Sequence, residues 1–241
     1  MPKAKFEKIY KDLKEKIESQ DYPYQGLLPS ENTMVDIYGC SRNTIRRAVS
    51  MLADEGYVQP LHGKGVRIIY QPVAKAAFTV GGIESFKESA ARNHKIAGTK
   101  VVQFAEITSD ERIFEKTGFP VGSPLYYVQR VRYLDGKPLI FDINMFLQSV
   151  VKDLTPAIAA SSIYEYLENT LGVQIVTSKR KMTAERTTQI DEKYLELNDY
   201  DFLAVITSQT FDSNGILFEY TQSRHRPDYF CFQDTAIRKR T

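Results

Sequence analysis

Between Leu28 and Gly65 the chain reads LPSENTMVDIYGCSRNTIRRAVSMLADEGYVQPLHGKG, and this stretch constrains the fold more than any other. Ser30 follows Pro29 as a helix N-cap, and Gly39 supplies the left-handed residue that ends a helix after Tyr38. Ser41 caps again at once, and Ile45, Ala48, Val49 and Leu52 form one apolar stripe before Gly56. Two helices joined by so short a turn must fold across each other. Upstream, Phe6, Ile9, Tyr10, Leu13 and Ile17 recur at helical spacing and predict an amphipathic helix over 5–19. Downstream, YVQPLHGKGVRIIY predicts two short strands around a Gly-rich turn. Three helices and a hairpin in that order predict a winged helix-turn-helix.

Arg42, Asn43, Thr44, Arg46 and Arg47 cluster at the start of the third helix, where a recognition helix meets base edges in the major groove. His62 and Lys64 stand at the wing tip, within reach of the minor groove or the backbone. Residues 1–71 hold 11 Lys/Arg against 9 Asp/Glu, in a chain of net charge +2, so the argument rests on where charges sit. The plainer alternative is that these side chains solvate a small domain.

The bulk numbers exclude other classes. No apolar run is long enough to span a membrane, and the charged N-terminus lacks the core of a signal peptide. Cys40 and Cys231 lie far apart, and His62, His94 and His225 match no metal spacing. Free thiols in a cytoplasmic protein, with no metal and no cofactor, are the expectation.

The remainder of the 241 residues reads differently. YQPVAKAA, residues 70–77, predicts a linker between a domain over 1–69 and a second over 78–241. KVVQFAEI, LYYVQRVRYL and PLIFDINMF predict strands, the last two around an Asp135-Gly136 turn. LAVITSQTFD and ILFEYTQSRHR flank Asn214-Gly215, a hairpin signal. Helices are expected near 84–92, 110–117, 161–171 and 189–197. The class is α+β, with the strands mostly antiparallel.

Within VQRVRY, Arg130 and Arg132 share one strand face, where like charges repel. Either the face is solvated or an anion sits between them. Ser85-Phe86-Lys87-Glu88 and Ser162-Ile163-Tyr164-Glu165 are capping boxes, and the helix N-termini they open suit phosphate, provided the fold brings them to the arginines.

The first segment, through its LPSE, SRNTIRRA and GKG, resembles the DNA-binding domain of the GntR family of bacterial transcription regulators. The resemblance implies DNA contacts at Ser41, Arg42, Thr44, Arg46, His62, Gly63 and Lys64, while Asn32 departs from the arginine common after LPSE. Residues 78–241 resemble the effector-binding (UTRA) domain of the HutC-type members, which shares its fold with chorismate lyase. SSIYEYLE, RVRYLDGKPLIFD and FEYTQSRHRPDYF resemble the trehalose-operon repressors within that group. This implies sugar-phosphate contacts at Ser85, Phe86, Arg130, Arg132, Ser162 and Tyr164.

Asp142 is a further candidate for sugar hydroxyls. A two-residue turn would set it opposite Gln129, and a three-residue turn opposite Val128 on the arginine face, diagonal to Arg130; the resemblance favours the second, because relatives carry an acid at this position. Glu219, Thr221, Ser223 and His225 alternate onto one face, either solvent-exposed or ligand-facing; the resemblance favours Glu219 and His225 as contacts. Lys179 and Arg180 are weaker candidates. The resemblance implies a repressor that binds a palindromic operator in double-stranded DNA as a homodimer and is released by trehalose 6-phosphate. Alternatives are a response to another sugar phosphate such as an amino-sugar phosphate, a lyase-type enzyme carrying a DNA-binding domain, and a constitutive DNA-binding protein whose second domain only dimerises. No Ser-His-Asp series or paired-carboxylate motif supports the enzyme.

Overall fold

The structure, a computed structural model, describes residues 3–71, 79–80 and 82–232, which fall into two compact units. The predicted linker lies mostly on 72–77, outside the described residues, as does the chain beyond Phe232.

The first unit is the winged helix-turn-helix: α1 (Lys3–Glu18), α2 (Glu31–Tyr38), α3 (Arg42–Asp54), β1 (Val58–Leu61) and β2 (Gly65–Ile68). Ser30 and Ser41 each accept a backbone N–H three residues on, at 3.1 and 3.3 Å, which satisfies donors that the helix leaves orphaned. Gly39 adopts φ 55°, the left-handed conformation that turns the chain between α2 and α3, and Lys5 donates to its carbonyl at 2.7 Å. Leu13, Ile17, Met34, Ile45, Leu52 and Ile68 are almost wholly buried and lock the three helices to the hairpin.

The second unit is a six-stranded antiparallel sheet in the order β4-β5-β6-β9-β8-β7. A short β3 (Thr79–Val80) precedes α4 (Phe86–Arg92), β4 (Ala97–Thr108), α5 (Glu111–Thr117), β5 (Pro124–Leu134) and β6 (Lys137–Leu147). Then come α6 (Pro156–Ala160), α7 (Ile163–Asn169), β7 (Ile175–Arg186), α8 (Gln189–Tyr194), β8 (Phe202–Asp212), β9 (Leu217–His225) and β10 (Cys231–Phe232), which pairs in parallel with β3. Helices α6 and α7 pack on one sheet face against Val128 and Phe146. The α8 segment covers the other face, with Leu195 against Val131, Phe141 and Val205.

The short strands β3 and β10 escape the sequence reading, and so do two longer features, β7 and α6. Strand β7 is an edge strand, largely exposed, so IVTSKRKMTAER carries charge in place of an alternating apolar row. Helix α6 is a single turn capped by Thr155 with Pro156 in its first turn, too short for a periodic signal.

Asp142 lies on the expected arginine face, but neither register considered for it is the one observed. The turn does have two residues, with Asp135 at φ 50° and Gly136 at φ 80°, and it sets Leu134 opposite Lys137. The pairing then shifts by one residue between Arg132 and Tyr133, so Asp142 lies directly across from Arg130. One extra residue on β6 moves Asp142 onto the arginine face despite the short turn. The second hairpin also differs from a two-residue Asn-Gly turn. Strand β8 ends at Asp212 and β9 begins at Leu217; the Asp212 carboxylate accepts the backbone N–H of Asn214 and Ile216 at 2.9 and 2.8 Å.

Candidate functional site

Helix α3 buries Ile45, Ala48, Val49 and Leu52 and turns Ser41, Arg42, Asn43 and Arg46 outward. Ser41 is the N-cap, and its hydroxyl lies 2.9 Å from that of Thr44. Arg46 donates to Glu31 of α2 at 3.0 Å, an exposed ion pair. Arg47 instead lies over the Phe6 ring at 3.9 Å and props α3 on α1. Exposed His62, Gly63 and Lys64 form the tip of the β1–β2 hairpin, with Gly63 at φ 68°. One recognition helix start and one wing tip, both basic, make a surface suited to phosphate and base edges.

The second unit holds a cavity between the sheet face and the starts of α4 and α7. Ser85, Phe86, Arg130, Arg132, Asp142, Ser162, Tyr164, Arg180, Glu219 and His225 all line it. The register explains the convergence. Arg130, Asp142, Ser223 and Ile206 form one row across β5, β6, β9 and β8. Asn144, Thr221, Ser208 and Arg180 form the next across β6, β9, β8 and β7. Lys179 points the other way, its ammonium 5.2 Å from the centre of the Phe211 ring, and is not among the lining residues.

The two arginines are held differently, although both are about 5% exposed or less. Arg132 donates Nε to Asp142 at 2.7 Å and Nη1 to Thr99 at 2.8 Å, and lies 4.9 Å from the Phe86 ring centre. Arg130 donates Nε and Nη2 to Asn144 Oδ1 at 3.1 and 2.8 Å, and Nη1 to the Ala159 carbonyl. Each guanidinium has five N–H groups, so Arg130 keeps two and Arg132 three for another acceptor. Burial and then the charge of Arg132 pull the Arg130 pKa down to about 9, which leaves it charged at neutral pH. Burial pushes Asp142 up, but Arg132, Arg130 and the Ser223 hydroxyl outweigh it and hold the carboxyl below its usual range. The cavity therefore presents fixed positive charge out of water, where it acts strongly.

At the other end, Tyr164 donates to Glu219 Oε2 at 2.6 Å, and Thr221 donates to Glu219 Oε1 at 2.9 Å. Burial, followed by the Glu219 charge, raises the Tyr164 phenol well above its ordinary value. His225 is buried and packs 4.9 Å from Phe230; burial lowers its pKa to about 4, against the upward pull of Asp142, so it is neutral at pH 7. Arg180 donates to the Gly82 carbonyl at 2.6 Å.

The capping boxes are unequal. Ser85 has both reciprocal bonds, 3.2 Å to the Glu88 N–H and 2.7 Å from its own N–H to the Glu88 carboxylate. Ser162 accepts from the Glu165 N–H at 3.3 Å, but the Glu165 carboxylate faces Lys87 at 3.4 Å. The second box is thus half formed, and Glu165 links α7 to α4.

Sequence reasoning missed Asn144, Thr99, Ser178 and Ser208. Asn144 was legible: it stands two residues from Asp142 on β6, as Arg132 stands two from Arg130 on β5. Among the described residues no group of three or more His, Cys, Asp or Glu is placed to hold a metal ion, and no helix is long and apolar enough to cross a membrane.

The model of bacterial regulatory proteins of the gntR family matches residues 5–68, and that of the UTRA domain matches residues 92–231. The HTH-type transcriptional regulator TreR of Bacillus subtilis (strain 168) is 38% identical over 97% of this chain and 98% of its own length. The chain belongs to the GntR family. It is a transcription regulator with a helix-turn-helix unit and a UTRA unit. Another relative, the HTH-type transcriptional repressor NagR of Bacillus subtilis (strain 168), is 25% identical over 93% of this chain and 91% of its own length. Among solved structures, the Bacillus subtilis trehalose repressor effector-binding domain matches at TM-score 0.54 and 35% identity, covering 59% of this chain and 99% of that one. The possible transcriptional regulator YydK of Bacillus subtilis subsp. subtilis str. 168 matches at TM-score 0.82 and 21% identity over 97% of this chain and 99% of its own, a likeness of fold alone.

Proposed function

We propose that this GntR regulator is a repressor that binds a palindromic operator as a homodimer and is released by a sugar phosphate, trehalose 6-phosphate. The buried Arg130–Arg132 pair carries the reading. Two guanidinium groups keep N–H donors directed at one cavity, and a phosphate dianion supplies the acceptors that complete them. Ser85 and Ser162 add hydroxyls beside that end, while Tyr164, Glu219 and Arg180 offer partners to sugar hydroxyls. The 38% identity to TreR supports the choice of trehalose 6-phosphate.

In this reading, residues 1–69 bind DNA through Ser41, Arg42, Thr44, Arg46, His62, Gly63 and Lys64, and residues 78–241 bind the effector. Two α3 helices of a dimer then read half-sites about one helical turn apart. The effector releases the operator because it prefers the dimer geometry in which those helices are mis-spaced.

Glu219 favours a second reading, an amino-sugar phosphate, since a carboxylate pairs well with an ammonium. Calorimetry on the full chain with trehalose 6-phosphate and glucosamine 6-phosphate distinguishes the two. Binding of trehalose 6-phosphate, together with its release of a fluorescent duplex carrying the palindrome upstream of the gene, is the expected result. Heat with glucosamine 6-phosphate alone would transfer the proposal to the second sugar, and no binding of either would end it.

A further inference from the structure

A hydrogen-bonded chain runs between the two ends of the cavity. Arg130 only donates, so the Asn144 atom that meets its Nε and Nη2 must be the amide oxygen. The Asn144 amide nitrogen then donates to Thr221 Oγ1 at 2.7 Å, and the Thr221 hydroxyl donates to Glu219 Oε1 at 2.9 Å. Every direction in this chain is fixed by a cation that cannot accept at one end and a carboxylate that accepts at the other. Asn144 is 1% exposed, so no water substitutes for its partners from outside.

The charges along the chain are unusual for a buried cluster. Arg132 has a carboxylate in contact, Asp142 at 2.7 Å. Among the described residues Arg130 donates its hydrogen bonds to neutral acceptors, Asn144 Oδ1 and the Ala159 carbonyl; Asp142 across the strand acts on it without a direct bond, and no ion pair joins it to Glu219. A buried cation and a nearby carboxylate ordinarily gain by pairing. Here an amide and a hydroxyl stand between them.

We propose that Asn144 is a specificity-determining residue of the effector site. Its neutral amide aims Arg130 at the cavity without cancelling its charge, and through Thr221 it keeps Glu219 apart for a hydroxyl-bearing group. The site thus selects ligands carrying an anion at one end and hydroxyls at the other. This rests on the sugar-phosphate reading above and names the residue that enforces it.

The test compares Asn144→Asp with Asn144→Ser in the full chain, titrated with trehalose 6-phosphate by calorimetry. Asp is nearly isosteric but places a carboxylate on Arg130 and cannot donate to Thr221; Ser stays neutral and removes more packing. The expected result is a loss of affinity at least tenfold larger in Asn144→Asp than in Asn144→Ser. Equal losses, or a larger loss in the Ser variant, would overturn the inference, because bulk and packing would then decide. Thr221→Val covers the case in which Asn144→Asp does not fold. It should weaken trehalose 6-phosphate at least tenfold more than inorganic phosphate, and equal weakening counts against the inference. Failure of the unsubstituted protein to bind any of these phosphates removes the underlying reading as well, whereas its normal binding with an unaffected Asn144→Asp removes the inference alone.

Discussion

Asp142 stands directly across from Arg130 in the β5–β6 register, yet its ion pair is with Arg132, two residues along, at 2.7 Å. A carboxylate set between two buried guanidinium groups offsets their mutual repulsion. Its Oδ1 atom accepts from Ser223, which leaves Oδ2 aimed at Arg132. Asp142 is thereby a counter-ion first, and less available to sugar hydroxyls than its sequence position suggests.

Asp142→Asn should therefore destabilise the ligand-free protein by about 3–5 kcal/mol, the range for removing one partner of a buried pair. A dianion in the cavity then substitutes for the missing charge. Thermal unfolding with and without trehalose 6-phosphate should show a larger ligand-induced rise in the variant than in the parent. An equal rise would mean that the phosphate does not approach these arginines.

Arg130→Ala separates the two functions. Its guanidinium lies inside the second unit, so operator affinity in the absence of effector should be unchanged, while release by trehalose 6-phosphate disappears. Fluorescence anisotropy of an operator duplex, titrated with effector, checks both at once. Retained induction would remove the arginine pair from the site.

Arg46→Ala acts in the first unit. Arg46 is exposed and, among the described residues, its ion pair is with Glu31 at an exposed position, so its loss should leave folding nearly unchanged. If it contacts a phosphate, the salt dependence of operator binding should flatten by about one unit of slope per protomer. Anisotropy titrations across a salt series measure that slope directly.

Much of this molecule was legible because local chemistry and tertiary structure agree. Ser30, Gly39 and Ser41 set the helix-turn-helix by caps that act within a few residues: α2 begins and ends, and α3 begins, where those residues place them. The face shared by Arg130 and Arg132 likewise follows from strand alternation alone. Asp142 shows the limit. Its face depended on a one-residue shift beyond the Asp135-Gly136 turn, and the local sign of that shift is a single residue, Pro138, which cannot donate to the ladder of a central strand. Strand β7 was missed for a related reason: an edge strand has a single neighbour and need not alternate. The convergence of α4, α7 and the sheet on one cavity is a long-range outcome that no short motif encodes.

His225 gives the protein a pH response with a defined sign. Its folded pKa, about 4, lies below the ordinary 6.5, so the unfolded chain takes up the proton first as the solution is acidified. Stability contributed by the neutral, buried ring is complete above pH 6.5 and is lost as the pH falls toward 4, by about 3 kcal/mol. The contribution of Asp142 is lost only below the ordinary carboxylate value of 3.8, outside that window. Urea unfolding across the window should show the loss in the parent and a flatter profile in His225→Gln.

On the opposite sheet face, Arg224 of β9 is clamped by Asp191 of α8 through two bonds, Nε to Oδ1 at 2.8 Å and Nη2 to Oδ2 at 2.9 Å. Glu185 of β7 accepts from Nη1 at 2.7 Å, and the Arg186 carbonyl accepts a further bond. Asp191 is fully buried, and it also accepts the Thr188 N–H and hydroxyl that open α8. Asp191→Asn removes the charge that compensates Arg224 and should destabilise the protein by about 3–5 kcal/mol. Glu185→Gln removes a partner that is 38% exposed and should cost under about 1 kcal/mol. None of these residues lines the cavity, so both variants should bind trehalose 6-phosphate with parental affinity at temperatures where they are folded. Urea unfolding paired with calorimetry checks the two halves of this expectation, and a selective loss of ligand affinity in Asp191→Asn would show that the two sheet faces are coupled.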